Sequence, residues 1–229
     1  MRLLVINPNS TQSMTDSLES EINSLHLSSN ITVDYYTAPE NAPLSINNDL
    51  DAENSSNVVM ENLSEDYLKV YDGILVACYS DHPLIYKLRS VTNAKILGIF
   101  QASIIYALQA IDNKSDKVAI LTSVDEWEQI LDNAIINFLG VGSFPNDRFV
   151  HTLAANLPIL KLHEPDNYNI LMGKIQNLVN KNVKIILLGC AGLSTLDYKM
   201  KNDFPNIKFV DSVKIGIKQL ISFIEIGNV

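Results

Sequence analysis

Short apolar runs alternate with helical patterns along the whole chain, and this alternation restricts the possible folds more than any other feature. Eight runs rich in aliphatic and β-branched residues have the length and the polar boundaries of strands. They span 2–6, 31–36, 73–78, 95–100, 117–122, 148–154, 183–190 and 207–211. Because most of them are continuously apolar, we expect parallel strands that helices cover on both faces.

Helical periodicity occupies most of the intervals between these runs. One stripe follows a possible cap at Ser10 or Thr11, another follows Asp125, and the final segment from Ile215 also has a helical pattern. The fold class is therefore α/β. The stretch 37–50 is rich in turn-forming residues and is expected to be a long loop.

Eight strands divide evenly into four and four, which predicts two similar lobes of Rossmann-like architecture. Each lobe would contain a four-stranded parallel sheet, with a ligand site in the cleft that separates the lobes. We expect residues 1–99 with 213–229 to form the first lobe and residues 100–212 to form the second. The last helix would then return to the first lobe.

Charge and motifs exclude several classes of function. The chain has 17 Lys and Arg against 26 Asp and Glu, a net charge of −9, which argues against nucleic acid and anionic membranes as partners. No apolar run reaches 18 residues and no export signal is visible, so we expect a cytoplasmic protein with reduced thiols. No CxxC, HExxH, GxGxxG or Walker motif is present, so we expect no metal and no cofactor. The expected partner is a small molecule, and association into a homo-oligomer stays open.

The two cysteines occupy matching places in the two halves of the chain. Cys78 closes the apolar run in ILVACYS, and Cys190 closes the run in LLGCAGL. A single cysteine at such a place is most often a small core residue. However, ligands of open parallel sheets bind beyond the carboxyl ends of the strands. Two thiols facing one ligand could remove a proton from one face of a carbon next to a carbonyl and return a proton to the other face.

The chain also resembles a known family over nearly its whole length. The motifs that carry the resemblance are INPNST (6–11), APLSI (42–46), ACYSD (77–81), GIFQAS (98–103), ILTS (120–123), LGCAGL (188–193) and FVDSV (209–213). Their order is similar to that of the hydantoin racemases, within the aspartate/glutamate racemase superfamily. The resemblance implies two pseudosymmetric α/β lobes and cofactor-independent catalysis, with Cys78 and Cys190 as acid and base.

Other positions are matched to the family's ligand site with the same reasoning. The substrate-binding residues implied by the resemblance are Asn7, Pro43, Ile46, Tyr79, Ser80, Gln101, Thr122, Ala191 and Gly192. Several of them have plain structural alternatives. Asn7 with Pro8 fits an ordinary turn, Thr122 fits a strand end, and Gln101 fits the start of a helix.

The matched polar residues are neutral, which favours an uncharged, cyclic substrate over a free amino acid. A 5-substituted hydantoin fits, because its C5 proton lies beside a carbonyl. Among natural substrates we favour allantoin, which would place the reaction in purine catabolism. Tyr79 and Ile46 are the candidates for contact with the substituent on C5.

Other functions stay open at this point. Hydantoin racemases often have Asp-Pro-Gly after the first cysteine, whereas this chain has Asp81, His82 and Pro83. His82 lies four residues from Cys78 and permits a cysteine hydrolase with a Cys-His pair. A racemase of aspartate or glutamate, or a two-lobed binding protein without catalysis, would use the same fold.

Overall fold

The computed structural model describes residues 1–157, 164–190, 193 and 197–227, and within these it has eight strands and nine helices. The strands are β1 (Arg2–Asn7), β2 (Thr32–Thr37), β3 (Gly73–Val76), β4 (Lys95–Gly98), β5 (Lys117–Thr122), β6 (Leu153–Ala154), β7 (Val183–Leu188) and β8 (Lys208–Asp211). The helices are α1 (Gln12–Asn23), α2 (Asp49–Asn62), α3 (Glu65–Leu68), α4 (Pro83–Arg89), α5 (Ile99–Gln109), α6 (Glu126–Leu139), α7 (Pro165–Asn180), α8 (Asp197–Asp203) and α9 (Ser212–Ile226). None of the described helices combines the length and the hydropathy that a membrane crossing needs.

The chain divides into two compact units, each built on one sheet. The first unit comprises Met1–Ala102 and Val213–Val229, and the second comprises Ser103–Ser212. Each contains a four-stranded sheet in which every neighbouring pair is parallel. The α/β class with two four-stranded parallel sheets, predicted from the apolar runs, is thus confirmed.

The two sheets have the same connectivity. The strand order is β2-β1-β3-β4 in the first unit and β6-β5-β7-β8 in the second. The fourth strand of each sheet also ends in the same way in both units. β4 passes directly into α5 at Ile99, and β8 passes directly into α9 at Ser212. The internal similarity therefore extends from strand order to the junctions between strands and helices.

The first sheet is covered on both faces, as its continuous apolar strands require. Along β1, Leu4 and Ile6 belong to one buried cluster, which also includes residues of α2 and α4. Leu3 and Val5 belong to a second cluster with residues of α1 and α9. The last helix therefore packs in the first unit.

The second unit has a core of the same kind. Ala119 and Leu121 of β5 join a buried cluster with Leu171 and Ile175 of α7 and Met200 of α8. All five side chains are fully buried. The helical periodicity of α7 thus places one apolar face on the sheet.

Three predicted strands, over 73–78, 95–100 and 183–190, end two residues before their apolar runs do. The run 73–78 is a strand only as far as Val76, and the run 183–190 only as far as Leu188. The cause is the same in both sheets. Val76 pairs with the last residue of β4, after which α5 begins, and Leu188 pairs with the last residue of β8, after which α9 begins. Both cysteines therefore lie two residues beyond a strand rather than at its end.

A fourth prediction, a seven-residue strand over 148–154, was too long. Only Leu153 and Ala154 form β6, although Phe149 makes an isolated bridge to β5. Between them, the amide of Thr152 donates to Asp132 Oδ1 at 2.9 Å, and its hydroxyl donates to the same oxygen at 2.8 Å. A carboxylate on α6 thus occupies a donor that a strand would use for its neighbour.

Gly73 provides a test of how closely α9 packs on the first sheet. A Cβ atom at Gly73 would lie 2.6 Å from Ile224 Cδ1 and 3.0 Å from Leu220 Cδ1, so we expect Gly73→Ala to lower the free energy of unfolding by about 1–3 kcal/mol. Chemical denaturation measures this change. Gly142→Ala is the control, because its Cβ would meet no atom within 4 Å, and we expect it to stay within about 0.5 kcal/mol of the parent. Equal effects of the two substitutions would contradict the packing of α9 on β3.

Candidate active site

Cys78 lies in the loop that connects β3 to α4 in the first unit. Cys78 is partly buried, and its Sγ atom lies 3.4 Å from the hydroxyl of the buried Ser80. Desolvation by the surrounding protein raises the pKa of Cys78 to about 11, and the hydrogen bond with Ser80 partly opposes this shift. At neutral pH, Cys78 is therefore a protonated thiol.

The same loop is held by the carboxylate of Asp81. Its Oδ1 atom accepts from Gln101 Nε2 and from the hydroxyl of Tyr86, both at 2.7 Å. Gln101 is 3% exposed, and its Oε1 atom packs so closely over Gly98 that a Cβ there would approach it to 2.2 Å. The structure thus brings Gln101 to the loop of Cys78, where it bonds to a neighbouring side chain. Its contact with substrate stays a prediction.

The side chain of Tyr79 packs against the interior of the first unit. Its ring meets that of Phe100 edge-on, with centroids 5.6 Å apart. It also packs against the buried cluster that contains Leu3 and Val5. These contacts hold the residue directly after Cys78. The expected contact of Tyr79 with a substituent on C5 stays a prediction.

Asn7 is the last residue of β1 and is 1% exposed. Its Nδ2 atom lies within hydrogen-bond distance of Asn9 Oδ1, the Thr11 carbonyl and Thr15 Oγ1, and its Oδ1 atom accepts from the amide of Asn9. These bonds hold the turn that connects β1 to α1. Asn7 thus lies at the carboxyl end of β1, where the architecture predicts a ligand site, but its side-chain amide is bonded to other residues of the chain.

The connection from β2 to α2 is the long loop that was predicted over 37–50, and α2 begins inside that stretch, at Asp49. Ser10 and Thr11 fasten this loop to the turn after β1. Ser10 donates from its amide to the Pro43 carbonyl and from its hydroxyl to the Ala42 carbonyl, both at 3.0 Å. Pro43 is half-buried, and Ile46 is 8% exposed.

Thr11 completes this attachment at a cost to its own helix. It occupies the N-cap position of α1, yet its hydroxyl makes no cap bond. The hydroxyl donates instead to the Leu44 carbonyl at 2.7 Å. Three consecutive carbonyls of the loop, from Ala42 to Leu44, are thereby bonded to Ser10 and Thr11.

His82 is fully buried and does not pair with Cys78. Its Nδ1 atom accepts from the amide of Leu84 at 3.2 Å, which makes His82 the N-cap of α4. Its Nε2 atom has no hydrogen-bond partner. The order His82-Pro83 is a recognisable sequence signal for this role, because proline is favoured at the first position of a helix.

In the second unit, Cys190 follows β7 and Thr122 ends β5. Cys190 is partly buried and packs against the cluster formed by β5, α7 and α8, while its carbonyl accepts from the amide of Leu193 at 3.0 Å. Thr122 is 1% exposed, and its carbonyl accepts from the amide of Ala155 at 2.8 Å. Ala191 and Gly192, the predicted donors after the second cysteine, lie outside the described residues.

The sequence pattern indicated Ser10 and Thr11 as possible caps of α1 and gave Asp81 no site role, whereas the structure shows that each of them holds a loop. Asp81 lies inside a quoted motif, so a carboxylate three residues after Cys78 was a usable signal. The bonds of Ser10 and Thr11 join residues more than 30 positions apart. Such contacts have no local pattern that a sequence could display.

The two cysteines occupy equivalent positions of the repeated topology. β3 and β7 are each third in their sheet, and Cys78 and Cys190 each lie two residues after the strand end. A family model described as Asp/Glu/Hydantoin racemase matches residues 3–220. The chain belongs to this racemase family. Its reaction class is therefore isomerisation, as predicted.

Proteins similar to this chain match it over almost its entire length. Protein DCG1 of Saccharomyces cerevisiae is 31% identical over 242 residues, covering 99% of this chain and 98% of that protein. A hydantoin racemase of Rhizobium meliloti is 25% identical over 237 residues, covering 99% of this chain and 90% of that protein. An allantoin racemase structure from Klebsiella pneumoniae matches with a TM-score of 0.79 at 20% identity, covering 99% of this chain and 89% of that one. The last of these establishes the likeness of fold.

The raised pKa of Cys78 predicts its reactivity. In a Cys190→Ser variant, Cys78 is the only thiol, and its rate of alkylation by iodoacetamide should rise with pH to a midpoint near 11, because only the thiolate reacts. Ser80→Ala should raise the midpoint further, since the Ser80 bond lowers the pKa, whereas Ser80→Thr retains a hydroxyl and should change it less.

The same variant unfolded in guanidinium provides the control, with a midpoint at the ordinary thiol value of about 8.5. Far-UV circular dichroism at each pH monitors folding. A folded protein whose Cys78 midpoint equals that of the unfolded chain would contradict the desolvation of this thiol.

Proposed function

We propose that this racemase acts on 5-substituted hydantoins, with allantoin as the natural substrate, and that Cys78 and Cys190 are its acid and base. One cysteine, as thiolate, takes the C5 proton, so that the C5–H bond breaks and an S–H bond forms. The other cysteine, as thiol, gives its proton to the opposite face of C5. The carbanion between these two transfers is delocalised into the adjacent carbonyl, so the proton transfers need no redox group.

The observation that carries this proposal is the equivalence of the two cysteines. The chain has only two, and each follows the third strand of its sheet by two residues. A core role alone gives no reason for such a match. Acid and base roles that exchange between the two directions of a racemisation give a direct one.

The raised pKa of Cys78 supports a role as proton donor in the first turnover. Its pKa of about 11 leaves the thiol protonated at neutral pH. Cys78 therefore begins as the proton donor, and the mechanism requires Cys190 to accept the substrate proton in that turnover. After the turnover the roles are reversed, and the protein is ready for the opposite enantiomer.

The charges at the strand ends favour a neutral substrate. The segments that follow β1, β2, β3 and β5 contain no Lys or Arg, but they include Glu40 and Asp81. Lys87, on α4, donates to Glu53, Ser56 and Asn57, all at 2.7 Å, so its ammonium group is occupied. The segment after β6 contains Lys161, which lies outside the described residues. An α-carboxylate is commonly bound by a cationic side chain, and the segments after β1, β2, β3 and β5 contain none.

Two of the proteins similar to this chain are named for substrates of the proposed class. The Rhizobium meliloti relative is a hydantoin racemase, and the Klebsiella pneumoniae structure is that of an allantoin racemase. Both substrates contain the hydantoin ring with its proton at C5. We extend this shared ring chemistry to the present chain.

Polarimetric assays of the separate enantiomers test the proposal. We expect the wild-type protein to racemise both enantiomers of allantoin well above an enzyme-free blank. Cys78→Ser and Cys190→Ser should each lower kcat by roughly a thousandfold or more, because a hydroxyl is a much weaker acid than a thiol. Gly142→Ala, in an open surface position, is the matched control and should retain full activity.

Other substrates in the same assay separate the alternatives. Turnover of 5-benzylhydantoin without turnover of allantoin would overturn the choice of allantoin but retain the ring chemistry. Turnover of aspartate or glutamate instead would overturn the hydantoin proposal. Full activity of either cysteine variant would overturn the two-thiol mechanism.

A further inference from the structure

His82 makes an unusual helix cap directly after the loop of Cys78. Its backbone is extended, with φ of −71° and ψ of 129°, and its Nδ1 atom accepts from the amide of Leu84 at 3.2 Å. Pro83 follows at the first helical position. Side chains of Ser, Thr, Asp and Asn are the common caps, so an imidazole in this place needs a physical explanation.

The hydrogen bond fixes the state of the ring. A nitrogen that accepts carries no proton, so the proton lies on Nε2 and the imidazole is neutral. Burial lowers the pKa of His82 to about 4, with Lys87 adding to this effect and Glu53 opposing it. The ring therefore keeps its acceptor over the whole range around neutral pH.

The ring also carries an energetic penalty. Nε2 is buried without a hydrogen-bond partner, and His82 is 0% exposed. An unpaired buried donor is costly. The buried imidazole of His82 is thus a bulky, neutral group with one unpaired donor.

His82 lies in the same loop as Cys78, four residues further along the chain, and several side chains hold this loop. Ser80 bonds to the thiol of Cys78, and Asp81 bonds to Gln101 and Tyr86. His82 then fixes the end of the loop to α4. That helix is itself attached to α2 through the three bonds of Lys87. The loop is therefore anchored at both ends, with the thiol inside it.

We propose that His82 is a positioning residue, which holds the loop of Cys78 against α4 through its neutral cap bond and so keeps the thiol in its desolvated, proton-donating environment. This role rests on the proposed function of Cys78 as an acid. His82 acts through the loop, without contact with the reacting atoms. Loss of the cap bond frees the loop and admits water to the thiol.

Two substitutions separate the cap bond from the bulk of the ring. His82→Leu keeps a large buried group but has no acceptor, whereas His82→Asn has an acceptor in the position of Nδ1. Both are introduced into the Cys190→Ser protein, in which the pH midpoint of Cys78 alkylation is measured. We expect His82→Leu to lower this midpoint by about one pH unit or more as the thiol becomes hydrated, and His82→Asn to stay close to the parent.

The same substitutions in the protein with both cysteines give the kinetic readout. We expect His82→Leu to lower kcat for allantoin by about tenfold with little change in KM, because the acid is misplaced while the ligand contacts remain. His82→Asn should recover most of kcat. Ser64→Ala is the control, because it removes an N-cap bond of the same length, 3.2 Å, from α3. It should lower the melting temperature and leave both readouts unchanged.

Two results would overturn the proposal. One is a folded His82→Leu protein with the parent's alkylation midpoint, since His82 would then be a stabilising cap only. The other is an equal shift in the Leu and Asn variants, since the cap bond would then not carry the effect. The alkylation measurement needs no turnover, so it decides the role of His82 even if allantoin proves not to be a substrate.

Discussion

Parallel pairing places the carboxyl ends of the four strands at one edge of each sheet, and the candidate residues depend on this constraint. Asn7 and Thr122 are the last residues of β1 and β5, and Cys78 and Cys190 follow β3 and β7 by two residues. Gln101 lies in the first turn of α5, which begins where β4 ends. None of these residues is close to the others in sequence within its unit, and only the common direction of the strands collects them at the same edge.

The apolar runs were sufficient to predict the strands because a continuous run of strand length has few other uses in an α/β protein. Their ends could not be predicted in the same way. Cys78 and Cys190 each continue an apolar run, yet both strands stop when the neighbouring strand turns into a helix at Ile99 or Ser212. The end of a strand is thus determined by its partner, and the partner lies outside the local sequence.

The polar residues show the same limit more strongly. Asn7 and Gln101 were selected for contact with a ligand, whereas the structure bonds their amides to Thr15 and Asp81 among others. The motif selected residues in the loops at the strand ends. It could not distinguish a group that binds a ligand from a group that builds the loop, because both need the same hydrogen-bonding chemistry. Thr11 illustrates the point, since a residue typical of a helix cap uses its hydroxyl to hold a loop 33 residues away.

The central claim is that two different thiols handle the proton on opposite faces of one carbon. Incubation of a single enantiomer of allantoin in deuterium oxide tests it most directly, with the C5 position of both enantiomers followed by NMR after chiral separation and corrected for the enzyme-free blank. At early times, two bases predict deuterium at C5 of the newly formed enantiomer and hydrogen at C5 of the remaining substrate. Deuterium entering the remaining substrate as fast as the product forms, or product that retains the original hydrogen, would show that a single group exchanges the proton and would contradict the account.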